Sequence, residues 1–344
     1  MSASTYLNTR VSLFATRLWR AEDFGALLAT GHGEMAGALA GHGLPQLAAG
    51  FDTLDNRSLE QRIISLLLDE TTVLIRPLSG APRNFLIYWI ERFEIGNLKT
   101  LLRGKMSGER PALILSRLTP MGAFGRLDIE DLAHAEDVGD LLRRLEVSHY
   151  ADIVRPARRA FEESHDPFIL DAALDRSYYE GLEHRALPLE AAAGNSFRRL
   201  MSSLIDRLNL VWLLRYRFNY KLPPAQVYYL LVASRYTLSS AQLRKLAALG
   251  SQEEVLSALP ESLRRLLAGV SVIPEVFAKM EHNTVDIARK VLQAGGPAIS
   301  RAFAYLIVRE HDLRAIRAVL RGRLLGLPEA DIRLAMFHPS AGSA

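Results

Sequence analysis

The stretch N-L-K-T-L-L-R-G-K, from Asn97 to Lys105, decides the fold because the chain repeats it. It returns as N-L-V-W-L-L-R-Y-R from Asn209 to Arg217, 112 residues later, and more weakly as E-H-D-L-R-A-I-R-A-V-L-R-G-R between residues 310 and 323. A motif that recurs at a long period is typical of a repeat architecture. The repetition therefore predicts related structural units and indicates part of an assembly, not an enzyme.

The segments that flank the motif repeat as well. Leu132 matches Leu243 and Leu145 matches Leu256, each pair being 111 residues apart. Apolar residues recur at helical spacing in these segments, and no stretch sustains the period-two alternation of a half-buried strand. We therefore predict an all-α chain built from three pseudo-repeats of a helical bundle. The predicted repeats cover residues 1–120, 121–230 and 231–344.

Local signals predict where individual helices begin and end. Ser58 is a good N-cap for a helix that Pro77 terminates. The helix that carries the first motif is expected to start near Phe85, shortly after Pro82. Small and flexible residues between Gly31 and Gly43 predict a loop.

Composition limits the classes of protein to which this chain can belong. Of its 344 residues 49% are hydrophobic. The 42 basic and 38 acidic residues leave a formal charge of only +4. Such a small charge supports a basic patch more than a polyanion-binding protein. Cysteine is absent, so disulfides and thiolate metal sites are excluded. No uncharged apolar run reaches the ~18 residues of a membrane span, and the first residues show no signal-peptide core.

Short motifs that could indicate catalysis or cofactor binding lack their structural context. The letters G-H-G-x-x-A at residues 31–36 follow a helix and not a strand, so they do not predict a dinucleotide site. Residues 104–106 read G-K-M, and the glycine that the motif requires five residues before Gly104 is missing, which excludes a phosphate-binding loop. His32, Glu34 and His42 lie in the predicted loop and are expected to be solvated. We predict no catalytic residue, no cofactor and no metal.

Polar residues recur inside the motif helices at a spacing of three. Glu94 and Asn97 in the first copy correspond to Asp206 and Asn209 in the second. Residues three apart share one face of a helix and can form a hydrogen bond. For any single residue the pattern favours a polar stripe on an ordinary amphipathic helix, opposite leucines that face the core. The functional alternative is that the polar faces and basic ends of all three copies line a common surface.

Each motif helix also ends in a pair of cations, at positions where the helix dipole favours positive charge. If the repeats surround an axis, these cations form a basic collar suited to an acidic partner. The predicted collar consists of Arg103, Lys105, Arg215, Arg217, Arg321 and Arg323.

Arginines and aromatic residues alternate in the second motif helix and could grip a single strand of nucleic acid. However, Trp212, Tyr216 and Tyr220 are four residues apart and are more simply explained as a helical packing stripe. We therefore predict no nucleic-acid partner.

The ordered motifs resemble those of the C-subunit family of V-type and archaeal-type (V/A) ATPases, whose eukaryotic member is called the d subunit. They are Y-L-N-T-R-V at 6–11, E-x-x-N-L-K-T-L-L-R-G-K at 94–105, L-D-R-S-Y-Y-E-G-L at 174–182, D-x-x-N-L-x-x-L-L-R-x-R at 206–217, and R-E-H-D-L-R-A-I-R-x-x-L-R-G-R-L-L-G-L-P-E-A-D-I-R at 309–333. The chain departs from the family's pattern at Asp312, where an asparagine is expected, and in the glycine-rich segment at 31–43.

The resemblance implies a funnel of approximate three-fold symmetry and a non-catalytic subunit of the central stalk. Such a subunit is peripheral to the membrane on its cytoplasmic face. It joins the central shaft to the proteolipid ring, so that torque links ATP hydrolysis or synthesis to proton or sodium transport. It is expected to be a monomer within a hetero-oligomeric complex and to have no nucleotide site. The residues alone leave two alternatives: a helical scaffold or adaptor that binds protein or nucleic acid, and a helical enzyme with a dispersed active site.

Overall fold

The computed structural model describes residues 3–50, 53 and 55–337, and over these residues it contains helices and no strand. The predicted all-α class is thereby confirmed. Residues 338–344, which the third predicted repeat includes, lie outside the described residues. The helices are α1 Ala3–Ala15, α2 Ala21–Ala29, α3 Met35–Gly41, α4 Pro45–Ala48, α5 Asn56–Ile75, α6 Gly80–Met106, α7 Pro111–Leu115, α8 Ile129–Ala133, α9 Val138–Leu145, α10 Ala151–Ser164, α11 Pro167–Leu214, α12 Pro224–Leu230, α13 Ser240–Ala247, α14 Gln252–Ser257, α15 Glu261–Leu266, α16 Ile273–Ala294, α17 Ala298–Leu324 and α18 Glu329–Phe337.

Three long helical pairs, each bent at a glycine, form the body of the protein. The pairs are α5 with α6, the two halves of α11, and α16 with α17. At the bends the backbone φ angle is 58° at Gly80, 65° at Gly194 and 74° at Gly295. Because these angles are left-handed, a side chain with a Cβ would be strained there. All three pairs therefore bend at a glycine with a positive φ angle.

Two helix starts differ from their predictions. Helix α6 begins at Gly80, ahead of the expected Phe85. Pro82 falls within its first turn, where a missing backbone N–H costs nothing because that group has no partner inside the helix. Helix α5 is capped by Asp55, whose side chain accepts the backbone N–H of Ser58 at 2.7 Å. Ser58 is thus the donor at this cap and not the N-cap.

The glycine-rich segment is helical, so the predicted loop at 31–43 is wrong. A 3₁₀ turn at His32–Glu34 leads into α3, which carries the buried side chains of Met35 and Leu39. Both side chains belong to a hydrophobic cluster that joins the N-terminal helices to α5 and α17. Their burial outweighs the poor helix propensity of glycine.

The leucines of the motif face the core, as predicted. Leu98, Leu101 and Leu102 are fully buried, as are Leu210 and Leu213 at the matching positions of the second copy. A hydrophobic core that extends from α1 to the first half of α17 includes all of them. The apolar stripe of the motif helix therefore holds the units together.

The long helices contact one another in a closed circuit. Helix α6 packs on α11, α11 on α16, α16 on α17, α17 on α5, and α5 on α6. In three of these contacts, α6 with α11, α11 with α16 and α17 with α5, a motif helix packs on the first long helix of the next pair. The three-fold funnel and the bounds of the three repeats stay predictions.

Candidate partner-binding cavity

A cavity of about 1220 Å³ lies among the five long helices. Its wall combines aromatic side chains, such as Trp89, Phe93, Trp212 and Phe277, with many charged ones. No single helix pair encloses it, because α5, α6, α11, α16 and α17 all contribute lining residues. The cavity is therefore a product of the closed helical circuit.

The charge of the cavity wall is strongly positive. Ten basic and five acidic residues line it within the described part of the chain, an excess of five positive charges, whereas the whole chain carries only +4. The protein's positive charge is thus concentrated on this concave surface, where a low-dielectric wall strengthens its field. The basic residues are Arg57, Arg92, Lys99, Arg103, Arg117, Arg207, Arg215, Arg314, Arg317 and Arg321, and the acidic ones are Asp55, Glu60, Asp175, Glu281 and Glu310.

Three of the six predicted collar residues lie on this wall. Arg103, Arg215 and Arg321 each lie at the C-terminal end of a motif helix, and all three line the cavity. The Arg103 guanidinium lies 3.0 Å from the carboxylate of Asp171. Among the described residues, Arg215 and Arg321 have no carboxylate within 4.0 Å. The structure therefore brings one arginine of each copy to a common surface but neutralises only the first.

The other three collar residues are not part of the cavity wall. Lys105 Nζ donates to the carbonyl of Ala135 at 2.7 Å, and Arg217 Nε donates to the carbonyl of Ala247 at 2.9 Å. Each acceptor lies 30 residues further along the chain. Arg323 is half-buried, and its Nε has no hydrogen-bond partner among the described residues. Lys105 and Arg217 thus tie the motif helices to the segments that follow them.

The polar pairs within the motif helices also bind following segments, and Glu94 and Asn97 have their hydrogen-bond partners there. Asn97 holds both backbone groups of Thr119, accepting its N–H and donating to its carbonyl, each at 2.7 Å. Asn209 does the same to Val232, at 2.9 and 3.1 Å. These asparagines are buried at 4% and 0% exposure, because an extended segment lies over each of them.

Glu94 and Asp206, the acidic residues of the same pairs, also bind segments that follow the motif helices. Glu94 accepts the backbone N–H groups of Arg126 and Leu127 and the hydroxyl of Tyr150. Asp206 accepts the backbone N–H of Leu238 at 2.8 Å, and burial raises its pKa above the ordinary value. Buried carboxylates with such partners stabilise loops that lack secondary structure of their own.

In the third copy the segment held by the motif helix comes from the N-terminus. Asp312 Oδ2 accepts the N–H of Trp19 at 2.9 Å, and Arg289 donates both to the carbonyl of Trp19 and to Asp312 Oδ1. Together Asp312 and Arg289 make the two contacts that one asparagine side chain makes elsewhere. The N-terminal segment thus occupies the place that a following segment occupies in the other copies.

An ion cluster lies deeper in the cavity. Glu281 is 2.6 Å from the guanidinium of Arg314 and 3.7 Å from that of Arg207. Burial acts to raise the pKa of Glu281, yet these guanidinium groups hold it well below its ordinary value. The carboxylate therefore stays ionised and offsets part of the positive charge of this wall.

Sequence reasoning missed Arg207, Arg314 and Arg317 as cavity residues. Their signal was helical spacing, since Arg314 and Arg317 precede Arg321 by seven and four residues, and Arg207 precedes Arg215 by eight. Residues at such spacings share one face of a helix. Extending the search back along each motif helix from its terminal arginine would have found them.

The residues considered for other functions have local partners. Trp212 and Tyr216 are buried, and the ring of Tyr220 stacks on that of Phe168 with centroids 4.1 Å apart. His42 lies 3.5 Å from Asp23 and against the indole of Trp19. No group of three or more histidine, aspartate or glutamate side chains with metal-ligand geometry occurs within the described ranges. None of the helices described here has both the length and the apolarity needed to cross a membrane.

Comparison with known proteins identifies the family. The sequence profile of the ATP synthase (C/AC39) subunit family matches residues 7–334. The A-type ATP synthase C subunit of Methanocaldococcus jannaschii is 21% identical over 339 residues, covering 95% of this chain and 84% of that protein. The A-type ATP synthase C subunit of Halobacterium salinarum is 23% identical over 341 residues, covering 95% and 96%. The match confirms the resemblance seen in the motifs, and the family is a structural, not a catalytic, part of the ATP synthase. The chain belongs to the ATP synthase (C/AC39) subunit family.

Proposed function

We propose that this ATP synthase subunit is the socket of the central stalk, which receives the foot of the central shaft in its cavity and rests on the membrane proteolipid ring. In this role it is a peripheral subunit on the cytoplasmic face, and it passes torque between ATP hydrolysis or synthesis and ion transport. It has no catalytic step of its own. The two partners are the shaft subunits and the proteolipid ring.

The concentration of positive charge in the cavity carries this proposal. An excess of five positive charges on one concave wall suits an acidic protein surface, and the aromatic side chains between the charges suit apolar contact. Electrostatic complementarity of this kind directs an approaching partner into the cavity and fixes its orientation. A shaft foot with acidic and apolar residues fits both features.

The packing of the body also suits torque transfer. A socket under load has to resist deformation, and closely packed helices are stiff. The closed circuit of α5, α6, α11, α16 and α17 distributes a load applied at one helix to both of its neighbours. Hydrogen bonds from Asn97 and Asn209 to distant backbone groups tie the connecting segments to the same frame.

The test is reversal of charge at the collar. Arg103, Arg215 and Arg321 are changed together to glutamate in the assembled ATPase, and ATP-driven ion pumping is compared with ATP hydrolysis. We expect binding of the shaft to weaken by about a hundredfold or more, because three attractive contacts become repulsive. Pumping should then be lost while hydrolysis by the detached catalytic sector continues.

A matched variant controls for the change in net charge. Arg159, Arg199 and Arg264 are exposed and do not line the cavity, so their joint change to glutamate alters total charge equally. This control should pump as well as the unmodified complex. If the collar variant keeps full coupling and still co-purifies with the shaft, the proposed function of the cavity is wrong.

A further inference from the structure

We infer that the cavity accepts its partner in one of three pseudo-equivalent orientations, with the acidic groups of that partner against Arg215 and Arg321 and not against Arg103. This inference rests on the proposed function, since it concerns how the shaft foot is oriented in the socket. The partner is a protein segment that carries carboxylates on one side.

The wall between α6 and α11 is electrically neutralised from within. Lys99 Nζ lies 2.7 Å from a carboxylate oxygen of Asp175, and Arg103 lies 3.0 Å from Asp171. Both aspartates are on the first half of α11, one helical turn apart. An incoming carboxylate gains little from an arginine that already has an acidic partner, because the two negative charges repel each other.

The two other walls lack these aspartates. Asp171 lies 23 residues before the bend at Gly194, and the residues 23 before the bends at Gly295 and Gly80 are Val272 and Arg57. The second wall therefore presents an apolar residue where the first presents a carboxylate, and the third presents Arg57, a cation with the carboxylates of Asp55 and Glu60 nearby at the start of the same helix. The counterion that neutralises Arg103 exists in only one of the three copies.

The resulting asymmetry favours one orientation. Arg215 and Arg321 remain without an acidic partner among the described residues, whereas Arg103 has one in Asp171. Rotating an acidic partner by one repeat would place its carboxylates near Asp171 and Asp175, whose negative charges would repel them. The body thus has one preferred docking direction, which prevents the shaft from slipping to another orientation in the cavity.

Aromatic side chains on the same wall indicate a protein segment, not a small free anion. Trp212 precedes Arg215 by one turn, and Phe277 lines the adjoining part of α16. A phosphate ion would leave the partly exposed ring of Phe277 in contact with water, whereas a helix end with apolar and acidic residues would cover it.

The experiment compares three matched substitutions in the full-length protein. Arg103→Gln, Arg215→Gln and Arg321→Gln each remove one charge from the C-terminal end of a motif helix, and the probe is the purified central-shaft subcomplex of the same ATPase. We expect Arg215→Gln and Arg321→Gln to raise the Kd about tenfold each and to lower its dependence on salt, and Arg103→Gln to change it less than about twofold. Circular dichroism and thermal melting verify that each variant is folded.

A fourth variant tests the cause of the asymmetry. Asp171→Asn removes the counterion and frees Arg103, so we expect the shaft to bind severalfold more tightly or to occupy a second orientation. Equal weakening by all three glutamine variants, together with no effect of Asp171→Asn, would overturn the unique orientation while leaving the socket intact. Failure of the unmodified protein to bind the shaft would instead refute the proposed function and this inference with it. Competition by millimolar inorganic phosphate at constant ionic strength would indicate a small-anion site and contradict the inference.

Discussion

Asp312 stands at the position that Asn97 and Asn209 occupy in the other motif helices, and it is fully buried. Burial raises its pKa to about 6, although Arg289 and the N–H of Trp19 act in the opposite direction. In the unfolded chain the group has its ordinary pKa of 3.8. The carboxylate is therefore harder to ionise in the folded protein than in the unfolded chain.

This difference predicts how the variant Asp312→Asn responds to pH. Because the pKa of Asp312 is higher in the folded protein, the contribution of this group to stability is fully present below pH ~4, where it is protonated in both states. This contribution is lost as the pH rises through about 6. An asparagine does not titrate and can hold Trp19 as Asn97 holds Thr119. We expect Asp312→Asn to be more stable than the unmodified protein by about 2 kcal/mol at pH 7. The gain should shrink toward zero between pH 6 and pH 4, measured by urea unfolding across that range.

The reciprocal substitution is its control. Asn97→Asp places a carboxylate beside the carbonyl of Thr119. No arginine takes the role of Arg289 among the contacts described at that site. We expect a loss of roughly 2–4 kcal/mol at pH 7 that becomes smaller in acid. If Asp312→Asn instead destabilised the protein equally at all pH values, the ion pair with Arg289 would be the stronger effect.

At the scale of elements, the end of each motif helix depends on the size of one residue. A Cβ on Gly104 would lie 2.6 Å from Ile114 Cγ1, and one on Gly322 would lie 2.4 Å from Ile332 Cγ1. These glycines let α7 and α18 pack directly on the helices that precede them. The matching residue of the second copy is Tyr216, and there the helix widens into a π-helical turn at Arg215–Asn219. A wider turn provides the room that a large side chain requires.

We predict opposite effects for two alanine substitutions in α6. Gly104→Ala should destabilise the protein by about 1–3 kcal/mol, because Ile114 cannot move without disturbing a closely packed core. Gly96 is exposed on the same helix and has nothing within 4 Å of an added Cβ. Gly96→Ala should therefore stabilise the protein by about 0.5–1 kcal/mol through helix propensity. Denaturant titration of both variants checks the prediction, and equal effects of the two substitutions would contradict it.

Helices and core positions could be predicted from the sequence because their signals are local. The spacing of Leu98, Leu101 and Leu102 specifies which face of α6 is buried, and repetition of the motif extends this result to the other copies. The helical state of residues 35–41 could not be predicted, because it depends on burial of Met35 and Leu39 by distant helices.

Three of the predicted collar residues lie on the cavity wall, and their helical position alone explains this. Arg103, Arg215 and Arg321 reach the cavity because each lies on the same side of its helix. Lys105 and Arg217 are two residues further on, on another face, and bind backbone carbonyls of segments that the helix does not contain. Their partners are 30 residues away, and no local pattern reveals such contacts.

At the scale of the whole molecule, related helical pairs enclose a basic cavity between them. Their common frame comes from repetition, and the proposed direction of docking comes from Asp171 and Asp175, which pair with Arg103 and Lys99 on the α6–α11 wall. Stiffness therefore comes from the repeated features, and specificity comes from the ones that differ. Both matter for function only if the shaft enters the cavity, which is the central claim.

A single engineered thiol tests that claim most directly. The chain has no cysteine, so Thr100→Cys introduces a unique reactive group on the cavity wall. Ser262→Cys, exposed on α15 and outside the cavity, is the control. Each variant is labelled with a short photo-crosslinker, built into the complete ATPase and irradiated, and its crosslinked partner is identified by mass spectrometry. We predict that position 100 crosslinks to one of the shaft proteins and position 262 does not; crosslinking from position 100 only to the proteolipid ring, or to no other protein, would contradict the claim.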